Sequence, residues 1–575
     1  MRLRINKNKD GSKNYYVLES FRKDNNISTT RIVRKLGNYN QIIKEHPYPD
    51  IWAQEVVDEM NRLAREGKQK ILIPFSPNSQ IEKHLNHLYD GGYLFLQKLF
   101  YQLNLDYICT RISSRYSFQY NLSHILGHLI YSRILNPLSK LATYDYVQTF
   151  LEKPDYALED VYRALEIIGQ EKDYIQSSLY KFSKKLGNRN DNILYYDCTN
   201  YYFEIEQERG LAKYGNSKDN KPNPIVEMGL FMDGDGIPLA FCLHNGNTNE
   251  QKTLQPLEKQ VLQDFGKSKV IICTDAGLSS VSNRKFNDVE NRAFITTQSI
   301  KKMKSYQKAW ALSPDNWRLI GYSKIFNLDL ILSDKELIKK YYHGIFFKEE
   351  WFNENDIEQK YIVTFSLKYM DYQRQIRNEQ IMRAEEALKS PEKRERTRQS
   401  DYKRFIKKIS VTEKGEIAGK AVYELAREKI KEEEKYDGFY AVATNLDEES
   451  EEIIRINRRR WEIEECFRIM KHEFNARPVY LLREKRITAH FTICFLALVL
   501  FRYIEKKLGH QFTCEEIIKG LRDIKFLRVK DTGYIPAYTR NEFTDVLHET
   551  FGFRTDFEIL SKSSVKKIIS ITKKK

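Results

Sequence analysis

Three carboxylates stand where a negative charge needs an explanation. Asp197 lies in "ILYYDCTNYYFEIE" (193–206), among aromatic and apolar residues. Desolvating an isolated carboxylate costs on the order of several kcal/mol. A neighbouring lysine, a backbone turn or a metal ion would each supply the compensation. Asp275 closes the apolar run "KVIICTDAG". Taken alone, either Asp reads as a turn or strand-end residue. If their strands lie side by side, the two anions repel unless a cation sits between them. Oxygen ligands facing a polyanionic substrate call for Mg²⁺, which needs only one or two carboxylates plus water and phosphate.

The third carboxylate comes from "INRRRWEIEECFRIMKHEF" (456–474). At about 100° per residue, Ile456, Ile463, Phe467, Met470 and Phe474 form one apolar stripe. Asn457, Arg460, Glu464 and Lys471 share a line beside it, while Glu462 and Glu465 point elsewhere. Glu464 is therefore the candidate ligand, flanked by two cations that would hold a phosphate-bearing strand. The competing reading of Glu464 is an ion-paired surface residue.

The elements that must position these groups are legible from 191 onward. "NILYYDCTNYYFEI" and "PIVEMGLFM" read as strands, "DGDG" (233–236) as a hairpin turn and "IPLAFCLHNG" as a third strand. "NEQKTLQPLEKQVLQDFG" (249–266) reads as a helix stopped by Gly266, and "KVIICTDAG" as a buried strand. A helical crossover returns a strand parallel to one already in the sheet, which would bring Asp275 beside Asp197.

Upstream, "NKDGSKNYYVLES" and "DNNISTTRIVRKLGN" predict a small basic β-hairpin module, and 85–188 carries helical periodicity throughout. Within it "ILNPLSKLATYDYVQTFL" permits a helix-turn-helix. Residues 300–435 mix β-like pieces with a Lys- and Arg-rich helical stretch, "RQIRNEQIMRAEEALKSPEKRERTRQSDYKRFIKK", read as a solvated face. A strand at 436–446 and a long helix from near Asp447 follow. "FTICFLALVLF" (491–501) is too short to span a membrane and reads as a buried helix.

A chain of 575 residues implies two to four domains. Its 95 Lys and Arg against 79 Asp and Glu give +16, which suits nucleic acid as partner. Seven scattered cysteines without a C-x-x-C pair argue against a disulfide framework or zinc ribbon. "MRLRINKNKDGSKNYY" has no apolar core of a signal peptide, so a cytoplasmic location is expected.

"RRRWEIEECFRIMK", followed by "RPVY" and "RITAH", resembles the signature helix of bacterial insertion-sequence transposases with a DDE active site. More narrowly, it looks like the insertion-sequence-4 group and its insertion-sequence-1634 relatives. Their pattern is Tyr, two residues, Arg, three residues, Glu, six residues, Lys. Arg460, Glu464 and Lys471 match it, and Asn457 departs from it at the Tyr position. "YGNSKDNKPNP", "HNGNTNE", "CTDAGLSS" and "DGFYAVATNL" resemble the same family.

The resemblance implies an α/β fold: an RNase H-like catalytic core interrupted by a largely β insertion, preceded by a small β module and a helical DNA-binding region. The corresponding divisions are 1–75 (basic hairpins), 80–190 (helical), 191–300 (core), 301–435 (insertion), 436–510 (core) and 511–575 (basic C-terminal segment). It further implies Mg²⁺-dependent cleavage and strand transfer at the terminal inverted repeats of a mobile element, with a two-metal site in which Mn²⁺ substitutes. Asp197, Asp275 and Glu464 would be the catalytic metal ligands, and Arg460, Lys471 and Asn457 the DNA contacts. The partners would be double-stranded element ends and target DNA, without a membrane, with a dimer on paired ends in the bacterial cytoplasm at the nucleoid. A nuclease of the same fold without strand transfer and a catalytically dead DNA-binding derivative are the alternatives. His490 and the tryptophans 310, 317 and 351 read as packing residues rather than site residues.

Overall fold

Alternating side chains in "ILYYDCTNYY" make one strand with two covered faces, and its neighbour "IVEMGLFMD" is buried at every position. Such continuous burial marks the middle of a sheet packed on both sides. The computed structural model describes the chain apart from residues 8–11, 23–27, 67–77, 79, 267–269, 290, 390–401, 412–416 and 531. The two expected turns near residues 8–11 and 24–27, and the most basic part of the charged stretch, 390–401, lie outside the described residues.

Residues 1–85 and 86–575 form two compact units. In the first, strands Arg2–Lys7, Lys13–Arg22 and Ser28–Asn38 make an antiparallel sheet, followed by the helix Pro49–Glu66. Its core is small: Tyr15, Ile42 and Ala53, with Leu3, Leu36, Tyr39 and Trp52 against them.

The second unit is organised by a ten-stranded sheet. Its strands are β1 (Ile193–Tyr202), β2 (Ile225–Asp233), β3 (Pro238–Asn245), β4 (Val270–Thr274), β5 (Arg292–Gln298), β6 (Trp317–Leu319), β7 (Ile325–Phe326), β8 (Phe346–Glu354), β9 (Ile357–Phe365) and β10 (Phe439–Thr444). Their spatial order is β7-β6-β8-β9-β10-β5-β4-β1-β2-β3. The pairs β1–β4 and β4–β5 are parallel, and β1–β2–β3 is an antiparallel meander. The crossover from β3 to β4 runs through a 3₁₀ turn at Glu250–Lys252 and the helix Leu254–Asp264.

Two expected divisions are corrected. The segment 301–435 does not stand apart as a β domain, because β6 to β9 continue the core sheet through β9–β10 pairing. What projects from it is a 22-residue helix, Leu367–Leu388, with the hairpin Ile406–Val411 and Ile417–Leu425. Residues 511–575 are more than a basic tail. They fold into three helices and three strands, and Lys525–Val529 pairs with Leu88–Asp90 near the start of the unit.

The helices of 86–190 pack on the apolar helix Glu484–Lys507, chiefly through Leu158–Gln170 and Leu122–Leu135. A Cβ at Gly169 would sit 1.9 Å from the Lys485 carbonyl, so only glycine permits that approach. Glu484–Lys507 is long and apolar enough to cross a membrane, yet its side chains from Ala489 to Glu505 are buried within this unit.

Candidate active site

β1 and β4 run parallel in the register Ile193–Ile271, Leu194–Ile272 and Tyr195–Cys273. Asp197 lies two residues beyond the last recorded pair on β1, and Asp275 follows directly after the end of β4. Tyr195 and Tyr201, on the same face of β1 as Asp197, fix the helices above them. Tyr195 donates to the Ile456 carbonyl at 2.8 Å, and the Tyr201 hydroxyl lies 3.8 Å from Met470 Sδ. Asp275 begins the turn after β4: its Oδ1 accepts from the Leu278 N–H at 3.0 Å, and its carbonyl accepts from Thr296 at 3.1 Å.

Asp197 has few donors. The one hydrogen bond its side chain takes among the described residues comes from the Cys198 N–H, at 2.8 Å. Burial pushes its carboxyl up to about 7; the Lys218 charge opposes this, Asp275 adds to it, and Arg460 opposes it more weakly. Lys218 is thus the neighbouring lysine, but its ammonium is engaged elsewhere, 2.6 Å from the Cys198 carbonyl and 2.8 Å from Glu250. An under-compensated carboxylate beside a second one fits a hard divalent cation held through oxygen.

Glu464 lies in the first turn of Trp461–Arg468, and its Oε1 is 3.0 Å from Arg460 Nη1. Arg460 is partly buried; desolvation lowers its pKa, but Tyr440, Glu464, Asp275 and Asp197 together raise it on balance. Of the three predicted carboxylates Arg460 pairs directly with Glu464, while Asp275 and Asp197 act on it only electrostatically. The ligand atoms of Asp197, Asp275 and Glu464 do not all come within 4.8 Å of one another; Glu464 is turned to Arg460 instead.

The expected single helix is interrupted twice. Ser450–Arg458 ends at a turn closed by Arg459 N–H to Ile456 O and Arg460 N–H to Asn457 O, both 3.1 Å. After Trp461–Arg468 comes a π turn, Ile469–Glu473, with Phe474 N–H bonded to Ile469 O at 3.0 Å. Wider π turns shift helical phase, so Lys471 leaves the Arg460–Glu464 line. Its ammonium lies 5.4 Å from the Tyr201 ring centroid, and desolvation holds its pKa near 8 against the pull of Asp219.

Asn457 does not face outward. It is 7% exposed, its Nδ2 donates to Tyr440 at 3.2 Å, and Cys273 Sγ lies 3.9 Å from its Oδ1. The expected DNA contact at Asn457 is replaced by a tie between β4, β10 and this helix. Two residues not singled out from sequence belong to the neighbourhood: Lys218, in "YGNSKDNKPNP", and Tyr440, in "DGFYAVATNL". Both segments carried the family resemblance without pointing to a particular side chain.

Tyr440 also borders a cleft of about 500 Å³ that reaches Ala276, next to Asp275, and is lined by Tyr369, Tyr372 and Arg404. His490 is buried with Nε2 3.0 Å from the Ala476 carbonyl, and Trp317 is fully buried with Nε1 donating to Ser313 O. Trp351 is 41% exposed and packs less than expected.

Residues 203–500 match the family described as "Transposase DDE domain". Comparison with curated proteins gives no match. Among solved structures, a piggyBac transposase synaptic complex with hairpin DNA is similar with a TM-score of 0.33 and 8% identity, covering 84% of this chain and 85% of that one. A Mos1 transposase paired-end complex with the left transposon end gives 0.13 and 12%, covering 43% and 68%. Likenesses this low carry no argument about function. The family match spans more than half of the chain and includes Asp275, Arg460, Glu464 and Lys471, and on it this protein belongs to the transposase DDE domain family.

Proposed function

We propose that this DDE transposase is a cut-and-paste enzyme of an insertion sequence, of the insertion-sequence-4 group and nearest its 1634 relatives. In this reading it cleaves and joins DNA at the terminal inverted repeats of its own element. The observation that carries the reading is the parallel pairing of β1 and β4, which holds Asp197 on one strand and Asp275 just past the end of the next, together with the family match over Asp275 and Glu464.

Asp197 and Asp275 would hold Mg²⁺, or Mn²⁺ in its place, and Glu464 would join them on leaving Arg460. When bound, such ions activate a water or 3′-hydroxyl and stabilise the leaving oxygen of an in-line displacement. The chain's own residues do the positioning. Arg460, released from Glu464, offers a planar fork to a phosphate, whereas Lys471, beside Tyr201, presents a point charge. Burial of Asp197 and the Asp275 charge favour a proton on Asp197 in the metal-free protein, and a divalent cation held by the pair would displace that proton. End recognition lies mostly before residue 190, and the active form is a dimer on paired ends in the cytoplasm, at the nucleoid.

The test is to incubate the purified protein with Mg²⁺ and DNA carrying the ends of its element, then map the products. Joined strands with the element ends attached to target DNA are expected. Cleavage without joining would make the protein a nuclease, and binding without cleavage would make it an inactive derivative.

A further inference from the structure

The face of β1 turned away from Asp197 carries a second set of ligand-type side chains. Side chains alternate along a strand, and Tyr196, next to Asp197, donates to Thr253 Oγ1 at 2.8 Å on the crossover side of the sheet. Cys198 shares that face. Among the described residues, one group of at least three His, Cys, Asp or Glu side chains brings its ligand atoms within 4.8 Å of one another: Cys198, Glu227 and Glu250.

Glu227 separates this group from an ordinary acidic cluster. It is 4% exposed; its Oε1 accepts from Asn200 at 3.0 Å, and its Oε2 is buried without a partner. An unpaired buried carboxylate oxygen is costly to keep. Lys218 pairs directly with Glu250, and its single charge is shared with Asp197 and Glu227 as well. His244, opposite Glu227 in the β2–β3 register, turns Nε2 to Cys242 Sγ at 3.0 Å and stays outside the group.

We propose that Cys198, Glu227 and Glu250 form a structural Zn²⁺ site behind the catalytic strand, separate from the oxygen-only site of Asp197 and Asp275. A thiolate with two carboxylates suits Zn²⁺ better than Mg²⁺, with water completing four-coordination. On binding, the Cys198 thiol releases its proton to solvent, a sulfur–zinc bond forms and no electrons are transferred. The charges then balance: thiolate and two carboxylates against one ammonium and one divalent ion. The ion ties β1 to β2 and to the start of the crossover, so Cys198 is a positioning residue for its neighbour Asp197.

The test uses full-length protein equilibrated with Zn²⁺, dialysed against metal-free buffer and assayed for zinc per chain by mass spectrometry. Close to one equivalent is expected in the wild type and in Asp197→Asn, and its loss in Cys198→Ser and Glu250→Gln. Co²⁺ loading gives a second readout: a thiolate-to-cobalt charge-transfer band in wild type and Asp197→Asn, absent in Cys198→Ser. Serine matches cysteine in size and the Glu250 side chain is 38% exposed, so both variants are suited to fold. Should Cys198→Ser misfold, the wild-type cobalt band and the Glu250→Gln zinc content decide. The proposal is overturned if the wild type retains no zinc, or if zinc is lost in Asp197→Asn but kept in Cys198→Ser.

Discussion

Arg460 Nη1 lies 3.0 Å from Glu464 Oε1, while the same guanidinium is drawn by Asp275 and Asp197. Glu464→Gln is expected to leave DNA binding nearly unchanged and to lower cleavage by more than about 100-fold, the upper end of what losing even an outer-shell partner costs a metal site. Binding and cleavage assays on the same preparation check this. Wild-type cleavage by Glu464→Gln would make that residue a surface ion-pair partner of Arg460 and nothing more.

Arg460→Ala separates the structural from the functional role of that pair. The Glu464 side chain is 56% exposed, and an exposed i,i+4 pair is worth about 0.3–0.5 kcal/mol. The variant should fold, lose little stability in denaturant titration, and bind and cleave element ends more weakly. Loss of the folded state would mark the guanidinium as a structural cation for Asp197 and Asp275.

Asp197 predicts a pH dependence of the metal-free protein. Its folded pKa, near 7, exceeds the ordinary 3.8 of an unfolded Asp, because of burial first and then Asp275. The native state thus holds a proton that the unfolded state releases, and this contribution, complete below about pH 4, is lost as pH rises through 7. Asp197→Asn should be more stable than wild type at pH 8 in chelator, on the order of 1–3 kcal/mol, with the gap closing toward pH 4. Mg²⁺ should narrow the gap at pH 8 by stabilising only the wild type. Parallel stability curves for the two proteins would show that Asp197 is adequately compensated already.

The elements differ in how legible they are in the sequence. The meander, crossover and parallel return of β4 follow from turn signals and strand runs, and they bring Asp275 to the end of the strand beside the one that holds Asp197. Helix phase sets Arg460 and Glu464 one turn apart, as their ion pair reflects, but one phase does not extend through the π turn that holds Lys471, which has no local sequence signature. Asn457 looked like a surface polar residue on the helix line; its burial depends on Tyr440 and Cys273, distant in sequence. The joining of β9 to β10 was hidden for the same reason, since strand partners far apart in the chain leave no periodicity to read.

The N-terminal unit offers a cleaner cut than a division at 190. The helices of 86–190 share a core with Glu484–Lys507, so a fragment 1–190 would lose the partner of its second half. Residues 86–575 form a compact unit, and Lys and Arg outnumber Asp and Glu within 1–85. Deleting 1–85 should leave a cooperatively folded protein whose binding to element ends is weaker and falls less steeply with salt, because fewer counterions are released. Identical salt slopes would place the phosphate contacts wholly in 86–575.

Lys471 gives a test in which stability and function should move in opposite directions. Desolvation holds its pKa near 8, below the ordinary 10.5, with Asp219 pulling the other way and Arg477 and Lys218 adding to the depression. A base bound to its proton more weakly in the native state destabilises that state at pH 7, and the penalty fades as pH rises from about 8 past 10. Lys471→Met keeps the apolar stem against Tyr201 and removes the charge. It should therefore stabilise the free protein at pH 7, lose that advantage above about pH 10, and bind element ends less tightly. A phosphate arriving beside Lys471 supplies the counter-charge the free protein lacks, which is how a poorly solvated lysine becomes a strong contact. If Lys471→Met is neither more stable at pH 7 nor weaker in binding, the ammonium is already satisfied by Asp219 and Lys471 is not a DNA contact.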